Sequence, residues 1–167
     1  KIASRTGVSK WITGDLARRK AHGIRAKHDA ILIGSGTAIM DNPSLTCRLS
    51  GLNNERRIRI VLDGRLRLPM DGTLIKTAKS VPVMLFTSSG DDEKRKMIAD
   101  IKDNGVSVHL VSQDENGLDI IKILNQIASM GLTRILVEGG GAVAKSFIKL
   151  DLVDEIAWFR APTVFGN

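Results

Sequence analysis

Short apolar runs, many of them rich in β-branched residues, recur along this chain and alternate with segments that have the spacing of a helix. Such runs are typical of buried strands. Strands that alternate with helices predict an α/β fold in which helices flank a mostly parallel central sheet. The predicted strands lie at residues 30–33, 58–63, 82–87, 106–111, 135–137 and 152–159.

Helices are predicted at residues 15–27, 91–103, 118–130 and 142–149. Thr13 or Asp15 is expected to be the N-cap of the first helix. Arg18, His22 and Arg25 are spaced by four and then three residues, which places them on one face of that helix. This basic face is either solvated or turned towards a phosphate, and the sequence leaves both interpretations open.

The predicted strand at residues 30–33 is followed by a concentration of small and polar residues. Gly34, Ser35 and Gly36 end the strand, and such residues let the backbone bend sharply or approach a ligand. We interpret residues 29–48 as this strand followed by a ligand-binding loop at its carboxyl end, with an ordinary surface loop as the alternative. The polar or conformationally special residues of this stretch are Thr37, Asp41, Asn42, Pro43, Thr46 and Arg48.

A second glycine-rich stretch follows the predicted strand at residues 135–137. Glu138 ends the strand, and Gly139, Gly140 and Gly141 come directly before a helix. Backbone N–H groups at the start of a helix bind anions readily. The pattern is neither the GxGxxG dinucleotide fingerprint nor a P-loop. It indicates either a site for a cofactor or tight packing of the helix against the strand.

The composition limits the class of protein. The 167 residues are 43% hydrophobic and 26% charged, which is typical of one folded domain rather than of a disordered chain. No apolar run is long enough to span a membrane and no signal peptide is recognisable, so we expect a cytoplasmic protein. The single cysteine, Cys47, and three scattered histidines have no ligand spacing, so no metal site is expected.

The net charge of +7 is compatible with two kinds of partner. A basic chain can bind nucleic acid, but aromatic residues are only 4% of this one and provide no stacking platform. Phosphate groups on a small substrate or cofactor explain clustered arginines equally well. We therefore expect a phosphorylated small molecule, not nucleic acid or a membrane, as the partner.

Asp41 and Glu138 are the acidic residues beside the two glycine-rich stretches. Either acid is a candidate proton donor, and either could instead cap a helix or bind ribose hydroxyls. No Ser-His-Asp arrangement and no pair of histidines is evident. A site with so few acid or base groups suits hydride transfer, in which a cofactor carries the chemistry and the protein positions it.

Several short motifs occur together, and in this order, in one known family. The sequence resembles the reductase domain of the bacterial riboflavin-biosynthesis bifunctional pyrimidine deaminase/reductase over essentially its whole length. The resemblance implies a dihydrofolate-reductase-like fold and NADPH-dependent reduction of the ribosyl group of 5-amino-6-(5-phosphoribosylamino)uracil to a ribityl chain. The motifs are Ser9-Lys10-Trp11-Ile12-Thr13, Ala17-Arg18, Arg25-Ala26, Asp29-Ala30-Ile31-Leu32, Gly36-Thr37, Asp41-Asn42-Pro43-Ser44-Leu45-Thr46, Arg48, Val61-Leu62-Asp63, Glu138-Gly139-Gly140, Leu152-Val153-Asp154-Glu155 and Ala161-Pro162.

The resemblance also implies a set of site residues, with Glu138 and Asp41 as the catalytic candidates. Gly64 stands where some members have a cofactor-contacting serine, so only its backbone is expected to make that contact. The substrate-binding residues implied are Ser9, Arg25, Leu45, Arg48 and Glu138. The NADPH-binding residues implied are Ala3, Trp11, Thr37, Asp41, Gly64, Gly140, Gly141, Ala142, Val143, Ala144, Lys145 and Ser146.

We expect residues 1–167 to form a single reductase domain, truncated at both ends relative to the family. The zinc deaminase half, with its HxE and PCxxC motifs, is absent from the sequence. A homodimer is also expected. The alternatives are a related reductase of the same fold that acts on another pyrimidine or pterin, and a basic nucleic-acid-binding α/β domain.

Overall fold

The computed structural model describes residues 14–49, 51, 57–115 and 117–160. In these ranges the helices are α1 (Asp15–Ala26), α2 (Ser35–Asp41), α3 (Thr73–Lys76), α4 (Asp92–Asp103), α5 (Ile120–Ser129) and α6 (Gly141–Lys149). The strands are β1 (Ala30–Gly34), β2 (Ile58–Leu62), β3 (Val83–Thr87), β4 (Ser107–Leu110), β5 (Gln113–Asp114), β6 (Gly117–Leu118) and β7 (Ile135–Val137). None of the described helices is long and apolar enough to cross a membrane.

The main sheet of the described residues is parallel, with strand order β4-β3-β2-β1-β7. Strand β1 pairs on both sides, so that Leu32 lies opposite Ile60 of β2 and Val137 of β7. The backbone N–H of Glu138 extends this pairing by donating to the Leu32 carbonyl at 2.8 Å. Because the strands are parallel, their carboxyl ends share one edge of the sheet, where ligands usually bind in such folds. The predicted α/β fold with helices around a mostly parallel sheet is confirmed.

Successive side chains of β1 point to opposite faces of the sheet and enter two separate apolar cores. Ile31 and Ile33 belong to the core that is covered by α2, α3 and α4. Ala30 and Leu32 belong to the core that is covered by α5 and α6. Every residue of β1 is buried, and full burial of one such aliphatic side chain contributes about 1.5–3 kcal/mol. This two-sided burial explains why the run at residues 30–33 is continuously apolar.

The interpretation of everything after the strand, up to Arg48, as a loop was wrong, because α2 starts directly after β1. Gly34 is the N-cap with extended backbone, and Ser35 and Ala38 bury one side of the helix against the sheet. Packing of this small-residue face overrides the low helix propensity of Gly36. Asn42 ends α2 in the left-handed conformation, with φ 41°.

Residues 152–159, predicted as a strand, form none in the structure. Their neighbour Asp151 turns the backbone with φ 55°, and no pairing of these residues with a described strand occurs. Side chains such as Ile156 and Trp158 remain exposed, at 65% and 83%. Hydrophobic alternation alone therefore did not make a strand here, because a strand also needs a partner for its backbone.

Smaller corrections concern helix starts. Gly14, not Thr13 or Asp15, is the N-cap of α1, and no side chain caps it. Helix α5 starts at Ile120, with Asp119 as the N-cap accepting from the Lys122 N–H.

The two residues before Asp119 pair with β5 in a small antiparallel ribbon that the sequence did not predict. The short helix α3 was also not predicted.

A buried cation supports the segment that follows α2. Arg59 of β2 is 1% exposed. Its guanidinium donates to the Thr77 hydroxyl at 2.8 Å, to the carbonyls of Thr77 and Ser44, and to the Val81 carbonyl. Burial lowers the pKa of Arg59 to about 10, which leaves the side chain charged at neutral pH. Neutral oxygen acceptors thus compensate the charge and join β2 to the segments around Ser44 and Thr77.

Replacing Arg59 by alanine is expected to lower the free energy of unfolding by about 3 kcal/mol, since it leaves a cavity and unpaired buried carbonyls. Arg95→Ala is the control, because Arg95 is exposed and pairs only with exposed Asp92 on its own helix, a kind of pair worth less than about 1 kcal/mol. Urea unfolding measures both variants. Equal, small effects would show that the Arg59 network does not hold the fold.

Asp29 provides a pH-dependent link between β1 and the segment before β7. Its carboxylate accepts from the Arg134 and Thr133 backbone N–H groups, at 2.9 Å each, and these bonds lower its pKa below the ordinary value of 3.8. A lowered carboxyl pKa stabilises the folded state above the ordinary value, and the effect disappears as the pH falls through the folded value. Asp29→Asn should therefore lower the thermal midpoint at pH 7 and progressively less below pH 3.8. A difference that is constant with pH would contradict this.

Candidate active site

The carboxyl ends of β1 and β7 bring the two glycine-rich stretches of the sequence together. Gly139 and Gly140 have φ of 73° and 80°, the left-handed region that glycine adopts easily. A Cβ atom on Gly139 would lie 3.1 Å from Thr37 Cγ2, and one on Gly140 would lie 3.2 Å from Thr37 Oγ1. Thr37, on α2, therefore packs directly against the glycine turn. Gly139 is exposed and Gly140 is half-buried, so the backbone of this turn is partly accessible at the sheet edge.

Helix α6 begins at this turn, with Gly140 as its N-cap and no capping side chain. On its inner side Val143 packs close to β1, because a Cβ on Gly34 would lie 2.7 Å from Val143 Cγ2. The Ser146 hydroxyl donates back to the Ala142 carbonyl at 3.1 Å. The uncapped first turn presents backbone N–H groups and the positive end of the helix dipole to the sheet edge. The exposed members of the predicted cofactor segment are Gly141, Ala142, Ala144 and Lys145.

Glu138, the last residue before the glycine turn, forms a two-pronged ion pair with Arg25 of α1. Arg25 Nε donates to Glu138 Oε1 and Arg25 Nη2 donates to Glu138 Oε2, both at 2.6 Å. Arg25 Nη1 also donates to the Thr46 carbonyl at 2.9 Å. The two side chains are 19% and 25% exposed. Such fork-to-fork geometry fixes the orientation of both side chains, so Arg25 holds Glu138 and the segment around Thr46 in one arrangement.

Arg48 lies on the other side of the same group. Its Nη2 donates to the Ser44 hydroxyl at 2.9 Å, and its backbone N–H donates to His22 Nδ1 at 3.3 Å. The Arg48 side chain is exposed, and none of the ion pairs in the described part of the chain involves it. Arg25 and Arg48 thus approach the same histidine, but Arg25 is already bound to a carboxylate. Of these two arginines, Arg48 is therefore the one without an acidic partner among the described ion pairs.

Two other predicted residues offer different surfaces. Leu45 is 4% exposed, with its side chain in the core covered by α2, so its side chain is not available to a ligand. The backbone of Leu45 is left-handed, with φ 52°. Asp41 is exposed at the end of α2. Its neighbour Asn42 has a structural contact instead, accepting from the Thr73 N–H at the start of α3 at 2.7 Å.

A cavity of about 580 Å³ lies at the ends of β2, β3 and β4, on the same sheet edge. Lys94 Nζ donates to the Gly64 carbonyl at 2.9 Å and to the Ser88 hydroxyl at 2.8 Å. A Cβ on Gly64 would lie 2.6 Å from Gln113 Oε1, so a side chain at this position would require the exposed Gln113 side chain to move. The residues that line the cavity are Gly64, Arg65, Ser88, Ser89, Lys94, Val111, Ser112, Gln113 and Asp114.

Sequence reasoning had assigned Gly64 to the site but missed Lys94 and Ser88. The polar run that ends β3, Ser88-Ser89-Gly90, was the available signal, because it marks the same sheet edge as the glycine-rich stretches. His22 was noted only as part of a basic helix face. Three predicted site residues lie outside the residues that the structure describes, namely Ala3, Ser9 and Trp11.

Comparison with known proteins identifies the family of this chain. The family described as the RibD C-terminal domain matches residues 1–167. The Riboflavin biosynthesis protein RibD of Bacillus amyloliquefaciens is 36% identical over 167 residues, which are 100% of this chain and 43% of that protein. The chain thus spans less than half the length of this curated relative.

Solved structures show the same likeness. One is described as a diaminohydroxyphosphoribosylaminopyrimidine deaminase/5-amino-6-(5-phosphoribosylamino)uracil reductase from Thermotoga maritima. It matches with a TM-score of 0.69 and 32% identity, over 90% of this chain and 38% of that one. Acinetobacter baumannii RibD, at 24% identity, has the same fold with a TM-score of 0.73, over 99% of this chain and 46% of that one. The chain belongs to the RibD C-terminal domain family.

Proposed function

We propose that this chain is an NADPH-dependent reductase that converts the ribosyl group of 5-amino-6-(5-phosphoribosylamino)uracil into a ribityl chain. The observation that most supports this proposal is the position of Glu138 directly before the glycine turn. Two Arg25 nitrogens hold its carboxylate oxygens there, each at 2.6 Å. An oriented carboxylate beside an exposed backbone turn suits a site where a sugar and a cofactor meet. The Thermotoga relative is named for the same reductase activity. A cytoplasmic homodimer is part of the same proposal.

The sheet edge has features that fit a dinucleotide cofactor. A Cβ on Gly139 or Gly140 would make a tight contact with Thr37, and both residues have the left-handed backbone that glycine adopts easily. Both positions therefore favour glycine, whose backbone lies beside the uncapped start of α6. Backbone N–H groups at a helix start are suitable partners for a pyrophosphate. The glycine turn follows β7, and the cavity beside Gly64 and Lys94 begins at the end of β2, two strands away in the sheet. Two strand spacings are about 10 Å, so one extended ligand can reach both places.

When bound, a reduced nicotinamide would supply the hydride that reduction at the ribose C1′ requires. The residues of this chain have the separate task of holding the sugar and its phosphate. Each Glu138 oxygen accepts one bond from Arg25, and a carboxylate oxygen has a second acceptor position. Glu138 can therefore accept from ribose hydroxyls while Arg25 keeps it oriented. Arg48, which has no acidic partner among the described ion pairs, provides positive charge for the phosphate.

The direct test of this function is an assay of turnover of the uracil substrate with NADPH. Turnover is measured as the loss of reduced-nicotinamide absorbance. In this assay Asp41→Ala should lower kcat/KM at least about tenfold, as removal of an acid or base group at a site does. The thermal midpoint should change little, because Asp41 is exposed. Asp100→Ala, which removes an exposed acid on α4, is the matched control. Wild-type protein that binds no NADPH and reduces no substrate would reject the function.

Lys94 should decide the preference for NADPH over NADH, because its charge borders the cavity and is bonded only to neutral oxygens. Lys94→Gln keeps a polar side chain and should weaken NADPH binding about tenfold while leaving NADH binding nearly unchanged. Lys96→Gln, an exposed position on the same helix, controls for the loss of one charge. Tryptophan fluorescence titration of the wild type and both variants with both cofactors measures the six dissociation constants. An unchanged ratio in Lys94→Gln would exclude Lys94 from 2′-phosphate recognition.

A further inference from the structure

His22 lies one helical turn before Arg25 on α1 and contacts the segment that carries Arg48. Its ring nitrogen Nδ1 accepts from the Arg48 backbone N–H at 3.3 Å. Its backbone carbonyl accepts from the Cys47 thiol at 3.4 Å. Two successive residues of the Arg48 segment are therefore bonded to His22. The sequence does not predict these contacts, since 26 positions separate the partners His22 and Arg48.

The charged groups around His22 come from three elements. Arg25 lies on the same helix, Arg48 lies on the segment after α2, and Glu138 lies at the end of β7. Burial lowers the pKa of His22 below its ordinary value of 6.5, and Arg25 and Arg48 lower it further, whereas Glu138 and a hydrogen bond with the Thr46 backbone oppose them. The ring is consequently neutral at pH 7 and above. A neutral imidazole has one nitrogen with a free lone pair, and an imidazolium has none.

In the described part of the chain, Arg48 is held by two hydrogen bonds, one from its guanidinium and one from its backbone N–H. Its guanidinium is exposed and donates to one hydroxyl, that of Ser44. Its backbone N–H has His22 as the partner. Holding the backbone amide limits where a long, flexible side chain can place its charge. The His22 ring is thus the contact that joins the Arg48 backbone to α1, the helix that also supplies Arg25.

We infer that neutral His22 is a positioning residue for substrate phosphate, which holds the Arg48 backbone so that the Arg48 guanidinium can bind the phosphate. This inference rests on the proposed function, because it takes the substrate to be phosphorylated. Protonation of His22 removes the acceptor for the Arg48 N–H and so releases the Arg48 backbone, while Thr46 and Cys47 keep their own bonds to α1. His22 does not touch the reacting atoms in this proposal; it acts through Arg48.

Two substitutions separate this role from a purely structural one. Asparagine has an oxygen that can accept from the Arg48 N–H and that does not titrate, so His22→Asn should retain wild-type affinity at pH 7.5. His22→Leu has no acceptor and should weaken binding about fivefold, the usual effect of one lost hydrogen bond. The probe is ribose 5-phosphate, titrated calorimetrically against the full chain, with ribose as the unphosphorylated control. NADPH affinity should be the same in all three proteins.

The pH dependence gives the sharper comparison, because the phosphate itself titrates near pH 6. That titration affects every variant equally and cancels in the ratio of two dissociation constants. At a pH low enough to protonate His22, wild-type protein should bind ribose 5-phosphate about fivefold more weakly than His22→Asn, although the two agree at pH 7.5. A ratio that stays at one at the lowest pH at which both proteins remain folded, or tighter binding by the wild type there, would overturn the inference.

The same experiment keeps the two proposals distinguishable. If His22→Leu folds and binds ribose 5-phosphate as tightly as wild type, the role of His22 is rejected while the reductase function stands. If the wild type binds NADPH but not ribose 5-phosphate, the assignment of the phosphate side is rejected with it. If His22→Leu fails to fold, the wild-type and His22→Asn ratios at the two pH values still decide the outcome.

Discussion

The double pairing of β1 is the constraint on which the candidate site depends. Because β1 bonds in parallel to β2 and β7, residues from distant parts of the sequence must end at the same edge of the sheet. Thr37 reaches the turn at Gly139 and Gly140 for this reason alone. The strand itself is fully buried, so the hydrophobic effect that forms the two cores also fixes the register of the polar groups at their border.

The Arg25–Glu138 pair adds a second layer of order at that edge. A buried ion pair often contributes little net stability, because desolvation offsets the attraction between the charges. This pair is only partly buried, and its two parallel bonds define direction more than they add energy. Its third bond, to the Thr46 carbonyl, connects α1 to the segment after α2. Three elements are therefore aligned around one carboxylate.

Some of this organisation could be predicted from the sequence and some could not. Strands β1 and β7 were evident from their apolar runs. The signal is continuous in β1 because both of its faces are buried. Helix α2 was missed, because its stability comes from packing Ser35 and Ala38 on the sheet rather than from propensity. The partner of Arg25 was also unpredictable, since 113 positions separate it from Glu138 and no local pattern encodes such a contact.

The left-handed backbone of Leu45 has a consequence for binding. A residue with a branched side chain avoids this conformation, at a cost of about 1–3 kcal/mol, yet Leu45 keeps it with its side chain 4% exposed in the core. The bonds of the neighbouring carbonyls, from Arg59 to Ser44 and from Arg25 to Thr46, hold the same segment from both sides. The shape of the segment is therefore set when the protein folds. Binding of a ligand therefore costs this segment little further conformational entropy, so more of the contact energy remains as affinity.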